Sequence, residues 1–361
     1  MKLTFNNKNR AFYNTLNAEV EKYFNQKHVK KTGNWKLFLK SVILIPSAIL
    51  IYIFLLELNW SITGTILMSA LLGFVMASIG FNVMHDAIHG SFSSRKWINK
   101  TFGFSLNVLG GNAFLWKQKH NVIHHTYTNI DGIDDDIAFS RLIRSCETQN
   151  WMPVHRIQHL YMLFLYSLTS LAWIFGTDFI KYFSKKVYST PLPRMNVKEH
   201  LIFWISKLVN ISVYVLIPLF LKGWLFWLLF FCSIHLVMGL TLAIVFQLAH
   251  IVEHTEFEVA TDDPKVIETE WAIHQVKTTA NFAPRNKVIS WLVGGLNYQV
   301  EHHLFPRISH VHYPALSEIV KRTCERFKLP YHQFPTMWSA VISHYKIMKK
   351  LGRKPALAVA Q

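Results

Sequence analysis

The sequence predicts an all-α integral membrane protein in which four transmembrane helices form two hairpins under a cytosolic helical cap. Three observations support this fold class. Half of the 361 residues (51%) are hydrophobic although the formal net charge is +17. Apolar runs long enough to cross a bilayer, which takes about 20 helical residues, occur in two closely spaced pairs. Lys and Arg are nearly absent from these runs and abundant between the pairs.

The apolar runs define the two hairpins. The turn at 57–61 is so short that the chain must return directly into the membrane. It carries Trp60, a residue type that often anchors helices at the membrane–water interface. Lys222 and Gly223 form the second turn. The predicted spans are residues 38–57, 62–83, 200–221 and 224–249.

Two further stretches are less regular. Residues 101–116 are apolar but interrupted by Gly and Asn, which favours a short or re-entrant element over a span. Residues 157–180 mix apolar and polar side chains, which predicts an interfacial amphipathic helix, with a span as the alternative.

The basic residues predict the orientation. Nine Lys and Arg lie in residues 1–40, thirteen in 82–199 and fourteen in 250–361, whereas only Lys207 and Lys222 lie elsewhere. Four spans put these three regions on one side, and the positive-inside rule makes that side cytosolic. Both termini are therefore expected in the cytosol.

The chain divides into a basic cytosolic arm (1–36), a membrane domain (37–345) and a basic tail (346–361). In the arm, Phe12, Leu16 and Val20 recur at helical spacing, which predicts a short amphipathic helix, with a partly ordered tail as the alternative. The arm has no apolar core typical of a signal peptide.

Composition argues against other classes of protein. A high isoelectric point also suits nucleic-acid binding, but the long apolar runs and dispersed basic residues predict no nucleic-acid partner. The cysteines Cys146, Cys232 and Cys324 lie far apart and form no CxxC, so no Cys-based iron–sulfur or zinc site is expected. A membrane transporter or a bis-histidine haem protein remains an alternative from another class.

Histidine spacing predicts a metal site. On a helix, residues four apart share a face and can present two imidazoles to one metal. An isolated pair of histidines is commonly just hydrogen-bonded or solvated, but the topology places all of these groups on the cytosolic side. The spaced pairs are His85/His89, His120/His124, His250/His254 and Gln299/His303, accompanied by His125 and His302.

The number of candidates predicts two metals. One transition metal takes roughly four to six ligands, and this set holds nine histidines and Gln299. The cap is therefore expected to hold a histidine-rich di-metal site. By affinity alone, a nitrogen-rich site without thiolate would favour copper or zinc over iron, so spacing does not identify the metal.

Metal-bound imidazoles usually donate their second N–H to a carboxylate or a carbonyl. Asp86, Glu253 and Glu301 are candidates for this role, with plain surface carboxylates as the alternative for the first two. The run 134–136 is a further candidate, or else a loop that caps a helix or binds a basic segment. His274 could support a metal-bound imidazole in the same way, contact the substrate or have a purely structural role.

Three blocks resemble the histidine boxes of the membrane fatty acid desaturases: HDAIH (85–89), HNVIHH (120–125) and QVEHH (299–303). The longer string GGLNYQVEHHLFP resembles the third box of the front-end type, in which glutamine replaces the first histidine. WAIHQVKTTANF and HHTYTNIDGIDDDI are similar to the bacterial acyl-lipid or acyl-CoA (linoleoyl-CoA) desaturases. The resemblance covers residues 35–345.

The resemblance implies a non-haem centre of two iron ions that uses O₂ to convert an acyl methylene pair into a cis double bond and water. The substrate would be an acyl-CoA or a membrane lipid, and a hydroxylase or acetylenase on the same scaffold is the alternative. It implies that the box histidines and Gln299 hold the metal. The family's ligand position after the fourth span is placed at His250 and His254, with His254 as the better candidate for direct ligation and His250 ligating directly or through water.

The resemblance also implies an electron donor. Many front-end relatives carry an N-terminal cytochrome b5 domain with an HPGG motif, whereas residues 1–36 are too short for one and His28 is followed by Val29. A separate cytochrome b5-like protein or ferredoxin, with its reductase, is therefore expected. The expected location is the bacterial inner membrane, with both termini and the metal site in the cytoplasm.

Overall fold

A computed structural model describes residues 3–138, 140–260 and 266–355 of the chain. The described part is predominantly helical. In chain order its helices are α1 Ala11–Lys27, α2 Trp35–Glu57, α3 Ile62–His89, α4 Lys96–Gly103, α5 Ser105–Val108, α6 113–127, α7 Pro153–Ser167, α8 Thr169–Ser184, α9 Val197–Lys222, α10 Trp224–His250, α11 Trp271–Thr278, α12 Lys287–Leu292, α13 Gln299–Leu304, α14 Tyr313–Arg326 and α15 Met337–Leu351.

Short strands tie the loops together in four pairs. The parallel pairs are β1 (Thr4–Phe5) with β6 (Val266–Ile267), β2 (Ile130–Asp131) with β5 (Glu258–Val259), and β7 (Asn281–Phe282) with β8 (Gln333–Phe334). The antiparallel pair is β3 (Lys186–Val187) with β4 (Thr190–Pro191).

Within the described residues, four helices are long and apolar enough to cross a membrane: α2, α3, α9 and α10. This confirms the prediction of four spans in two hairpins. The helices α7 and α8 meet that test only as a pair bent by 62°, a broken span or re-entrant loop. The short helices α4, α5 and the start of α6 confirm that residues 101–116 do not form a span.

The centre of the membrane part is the contact between α3 and α10. Gly73 of α3 meets α10 so closely that a Cβ there would lie 2.4 Å from the carbonyl oxygen of Ile234. Small residues allow such close approach of membrane helices. Leu72 and Met76 of α3 pack with Ile234 and Met238 of α10 in one buried cluster. This contact fixes the ends of the two helices, and therefore His85, His89 and His250, relative to each other.

The cap is a second hydrophobic core built from α1, α11, α13 and α14. The predicted helix in the N-terminal arm is confirmed, because Phe12, Leu16, Val20 and Phe24 lie buried along one side of α1. They pack in one cluster with residues of α11, α13 and α14. Residues 1–2 of the arm and 356–361 of the predicted tail lie outside the described residues, and the domain boundaries at 36 and 345 stay predictions.

Candidate metal centre

Seven histidines converge in two groups where α3, α6, α10 and α13 meet. The members of each group offer ring nitrogens that all lie within 4.8 Å of one another. All seven side chains are buried. The first histidine group consists of His85, His89, His120 and His302, and the second histidine group consists of His124, His250 and His303.

His125 lies between the two groups. Its ring centroid is 4.5 Å from that of His302 and 4.4 Å from that of His303. Its Nε2 is 3.2 Å from the Nε2 of His120. His120 and His124 also form a third set with Asp136, so the two groups adjoin each other.

Two π-helical segments shape this arrangement. One, Gly80–Met84, carries α3 into His85, and the other, Lys117–His124, forms the middle of α6. In a π turn the backbone hydrogen bond joins residues five apart instead of four, and such turns are frequent at functional sites. The π turns bring His120 and His125, which are five residues apart, to one face, with 3.2 Å between their Nε2 atoms. The predicted pair His120 and His124 also shares a face, although His120 belongs to the first histidine group and His124 to the second.

The donor atoms fit a metal, because five buried imidazole nitrogens of the two histidine groups have no hydrogen-bond partner among the described residues. An unsatisfied buried polar atom costs about 1–3 kcal/mol, and several at one point are explained when they share a ligand. These atoms are the Nε2 of His89, His124, His250, His302 and His303.

The protonation state also fits, because metal binding needs neutral imidazole. Burial, followed by the neighbouring histidines, holds the pKa of four imidazoles well below the ordinary value: His120, His125, His302 and His303. His124 differs. Burial lowers its pKa, but the Asp134 and Asp136 carboxylates outweigh burial and raise it.

Side chains on the far side of the imidazoles fix their orientation. His124 Nδ1 lies 3.0 Å from Asp134 Oδ2, and His303 Nδ1 lies 2.9 Å from Gln275 Oε1. His302 Nδ1 lies 3.1 Å from the Tyr313 hydroxyl oxygen. Partners of this kind select the tautomer and aim the other ring nitrogen at the metal. Spacing gave no sign of Gln275 or Tyr313, although Gln275 lies in the WAIHQVKTTANF string.

The other predicted supporting residues make different contacts. Asp86 Oδ2 accepts a 2.6 Å hydrogen bond from Ser309 and lies 3.1 Å from His310 Nδ1, so it joins α3 to the loop after α13. Glu301 accepts hydrogen bonds from Asn281 and Tyr331.

Glu253 lies 3.8 Å from Lys346 at the surface. His274 Nε2 is 2.8 Å from the carbonyl oxygen of Thr128, whose hydroxyl lies 3.2 Å from His303 Nδ1. The carboxylates that contact a grouped imidazole in the described structure come from the 134–136 run.

Among the nine predicted histidine ligands, His254 is the one that lies apart from the others. The prediction assumed one continuous helix through His250 and His254, but α10 ends at His250. His254 has a φ of 78° and an exposed side chain, and its ring lies 6.2 Å from that of His332. The sequence-based preference for His254 over His250 is therefore not supported by the geometry.

Gln299 lies at the start of α13, four residues before His303. Its side chain is buried, and its amide nitrogen has no hydrogen-bond partner among the described residues. Rotating the amide exchanges its oxygen with that nitrogen. Its oxygen can therefore occupy the position of the unpaired atom.

A cavity of about 360 Å³ adjoins the two groups. His120 and His250 form part of its wall, and its remaining surface is mainly apolar. Its polar end holds two ion pairs, Lys119–Asp136 and Lys181–Asp135, each with a nitrogen–oxygen distance of 2.6 Å. Such a cavity can hold an apolar molecule next to a metal.

Comparison with known proteins identifies the family. Residues 58–335 match the sequence model of a family described as fatty acid desaturase. The chain is a member of the fatty acid desaturase family. The resemblance of its three histidine blocks is thereby confirmed, and the protein is an enzyme that introduces a double bond into a fatty acyl chain.

Relatives of this desaturase match it over almost its whole length. The sn-1 linoleoyl-lipid 6-desaturase of Arthrospira platensis is 33% identical over 359 residues, covering 98% of this chain and 96% of its own. The enzyme of the same name from Synechocystis is 33% identical over 345 residues, covering 95% and 96%. The acyl-lipid (8-3)-desaturase of Physcomitrium patens is 33% identical over 351 residues, covering 95% and 72%.

Proposed function

We propose that this desaturase uses O₂ and a pair of iron ions to introduce a cis double bond into an acyl chain of a membrane lipid. The observation that supports it most is the convergence of two buried histidine groups beside an apolar cavity in a chain with four apolar helices. The names of the relatives support a lipid-linked chain over an acyl-CoA.

The proposed ligands of one iron are the first histidine group, and those of the other are the second histidine group with Gln299. His125 lies between them and is assigned to the centre as a whole. When bound, the iron pair supplies the oxidising power for an unactivated C–H bond, which side chains alone lack. Asp134, Gln275 and Tyr313 hold the imidazoles in the tautomer that leaves Nε2 free for metal.

The cavity is the proposed acyl site. Its apolar wall accepts the methylene chain and excludes water, while His120 and His250 bring the metal ligands to its surface. The ion pairs at its polar end lie where the linkage of the acyl chain to its carrier would meet the cytosolic side.

A separate protein is the proposed source of electrons. A cytochrome b5-like protein or a ferredoxin, with its reductase, would approach the basic cytosolic surface, because opposite charge speeds encounter. We place the protein in the bacterial inner membrane, with its termini and metal centre in the cytoplasm, since that orientation puts nearly all Lys and Arg inside.

The test combines product and metal analysis. Membranes of a desaturase-free host expressing the wild type should contain a new unsaturated lipid, with its double bond located by mass spectrometry of a derivative. The purified protein should contain about two irons per chain. His302→Ala should abolish product while the protein still enters the membrane, whereas His200→Ala, at a ring that contacts Tyr182 instead, should be active.

Two results would contradict the proposal. Label from ¹⁸O₂ in the lipid product would indicate a hydroxylase. Full activity in a protein containing zinc or copper but no iron would exclude the iron pair.

A further inference from the structure

The acyl cavity ends at a wall made of two side chains, Trp173 of α8 and Leu242 of α10. Both residues line the cavity of about 360 Å³, and both also line a second, smaller cavity of about 20 Å³. The second cavity is apolar and includes Met76, Met84 and Met238. Trp173 and Leu242 are the side chains that the two spaces share.

Positions along the helices α8 and α10 show at which end of the cavity this wall lies. Along α8, Trp173, Thr177 and Lys181 recur every four residues and line the cavity, from the wall to the ion pair of Lys181. Along α10, Leu242 precedes His250 by eight residues, which is about 12 Å at 1.5 Å per residue. The wall therefore lies at the apolar end, and the metal ligands lie toward the polar end.

Trp173 is held in this position by a buried ion pair. Its indole N–H donates a 3.0 Å hydrogen bond to Asp178 Oδ1, and Asp178 Oδ2 lies 2.7 Å from Lys207 Nζ of α9. Lys207 also donates to the carbonyl oxygens of Gly110 and Ile174. Asp178 and Lys207 are almost fully buried.

A buried ion pair is a poor source of stability, because desolvation offsets much of its attraction. It does, however, fix the indole by a charge-assisted hydrogen bond of defined direction. In addition, a Cβ at Gly111 would lie only 3.1 Å from Trp173 Cζ2, so the six-membered ring of the indole lies directly against the backbone there. Trp173 thus has little freedom to move aside for a longer ligand.

We propose that Trp173 and Leu242 set the longest acyl chain that the desaturase accepts by stopping the methyl end at this wall. The inference rests on the proposed acyl site. The methyl end points to the wall because the opposite end of the cavity carries the charged side chains. Shortening either side chain joins the second cavity to the first and lengthens the apolar space.

The experiment measures chain-length preference with two wall variants and one control. A desaturase-free host expressing each variant is fed linear fatty acids of increasing length, and unsaturated products are quantified for each length. Trp173→Leu and Leu242→Ala should each raise the ratio of longest-chain to shortest-chain product several-fold. Phe164→Leu removes an aromatic ring from the neighbouring helix α7 at a side chain that is 63% exposed and lines neither cavity, so its ratio should equal that of the wild type.

The possible outcomes distinguish a failure of the proposed wall from a failure of the proposed function. An unchanged ratio in an active Leu242→Ala variant refutes the wall, whether or not Trp173→Leu folds. A shift of equal size in Phe164→Leu also refutes it, since the change would then come from a general loss of packing. A wild type that desaturates no fed acid refutes the proposed function instead.

Discussion

At the scale of single residues, the hydrogen bond between Asp134 and His124 offers a direct test of the metal centre. Asp134 is fully buried, and its two oxygens lie 3.1 and 3.0 Å from His124 Nδ1. Asp134→Asn keeps the shape of the side chain but makes its oxygen a weaker hydrogen-bond acceptor for His124 Nδ1. Because partners of metal-bound histidines affect binding by about 10–100-fold, we expect metal affinity to fall within that range in a competition titration with a chelator.

Asp131→Asn is the matched control for that measurement. Asp131 belongs to the same loop, but its side chain contacts Gly132 and Thr148 instead of an imidazole. Equal metal affinity in Asp134→Asn and Asp131→Asn would mean that Asp134 only organises the loop.

Gln299 allows a second test at this scale. If its amide oxygen is a ligand, Gln299→His should retain metal because imidazole also donates one atom, whereas Gln299→Ala should lose part of it. Metal analysis of the purified variants measures this, with Gln333→Ala as a control at an exposed glutamine. Full metal content in Gln299→Ala would show that the residue is only a neighbour of the site.

At the scale of elements, the end of α10 decides which histidine contributes. His250 is the last residue of the helix and belongs to the second histidine group, whereas His254 follows a break and is exposed. We expect His250→Ala to lose product and metal, and His254→Ala to keep most of both. Desaturation assays on membranes with matched protein levels test this. Loss of metal in His254→Ala, with His250→Ala unaffected, would restore the sequence-based preference.

The turn before α13 is held against α3 by a glycine. Gly294 has a φ of 59°, and a Cβ there would lie 2.4 Å from the carbonyl oxygen of Phe81, within the π-helical segment of α3. Gly294→Ala adds a left-handed backbone cost of about 1–2 kcal/mol to this overlap. We expect a lower unfolding temperature and less bound metal.

Gly176→Ala is the control for Gly294→Ala, because a Cβ at Gly176 would meet no atom within 4 Å. Thermal unfolding of both variants in the same detergent, followed by intrinsic fluorescence, gives the comparison. Equal unfolding temperatures would show that the turn before α13 adapts at no cost.

The same elements explain how far the sequence could predict the site. Hydropathy predicts α2, α3, α9 and α10 because each must expose an apolar surface about 20 residues long. The spacing of the histidines in the sequence identified the candidate ligands, but their grouping on helix faces was predicted from the period of an α-helix. It could not reveal the π-helical segments, whose hydrogen bonds between residues five apart depend on packing between helices, and so it did not predict that His120 and His125 lie on one face.

The spacing of residues in the sequence could not predict long-range contacts either, for a related reason. Tyr313 reaches His302 from α14, and Gln275 reaches His303 from α11. Each contact depends on how the cap folds over the helix ends, which no local pattern records. The carboxylate run 134–136 was a candidate only because it follows the second histidine block closely.

At the scale of the whole molecule, topology and chemistry depend on each other. The helices α3 and α10 end in His85, His89 and His250, so both must end on the same side for the two groups to form. The turn at 57–61 and the turn at Lys222 and Gly223 must then lie on the opposite side. Knowing the side of either turn fixes the side of the metal centre.

Thiol labelling tests this orientation in spheroplasts. Asn59→Cys places a thiol in the first turn, and Lys321→Cys places one on α14 of the cap, both at exposed positions. Background should be low, since Cys146 and Cys324 are buried and Cys232 lies within α10. We expect a membrane-impermeant maleimide to label Asn59→Cys in intact spheroplasts and Lys321→Cys only after lysis. The reverse pattern would place the metal centre outside, where the basic cap would violate the positive-inside rule and a cytosolic electron donor could not reach it.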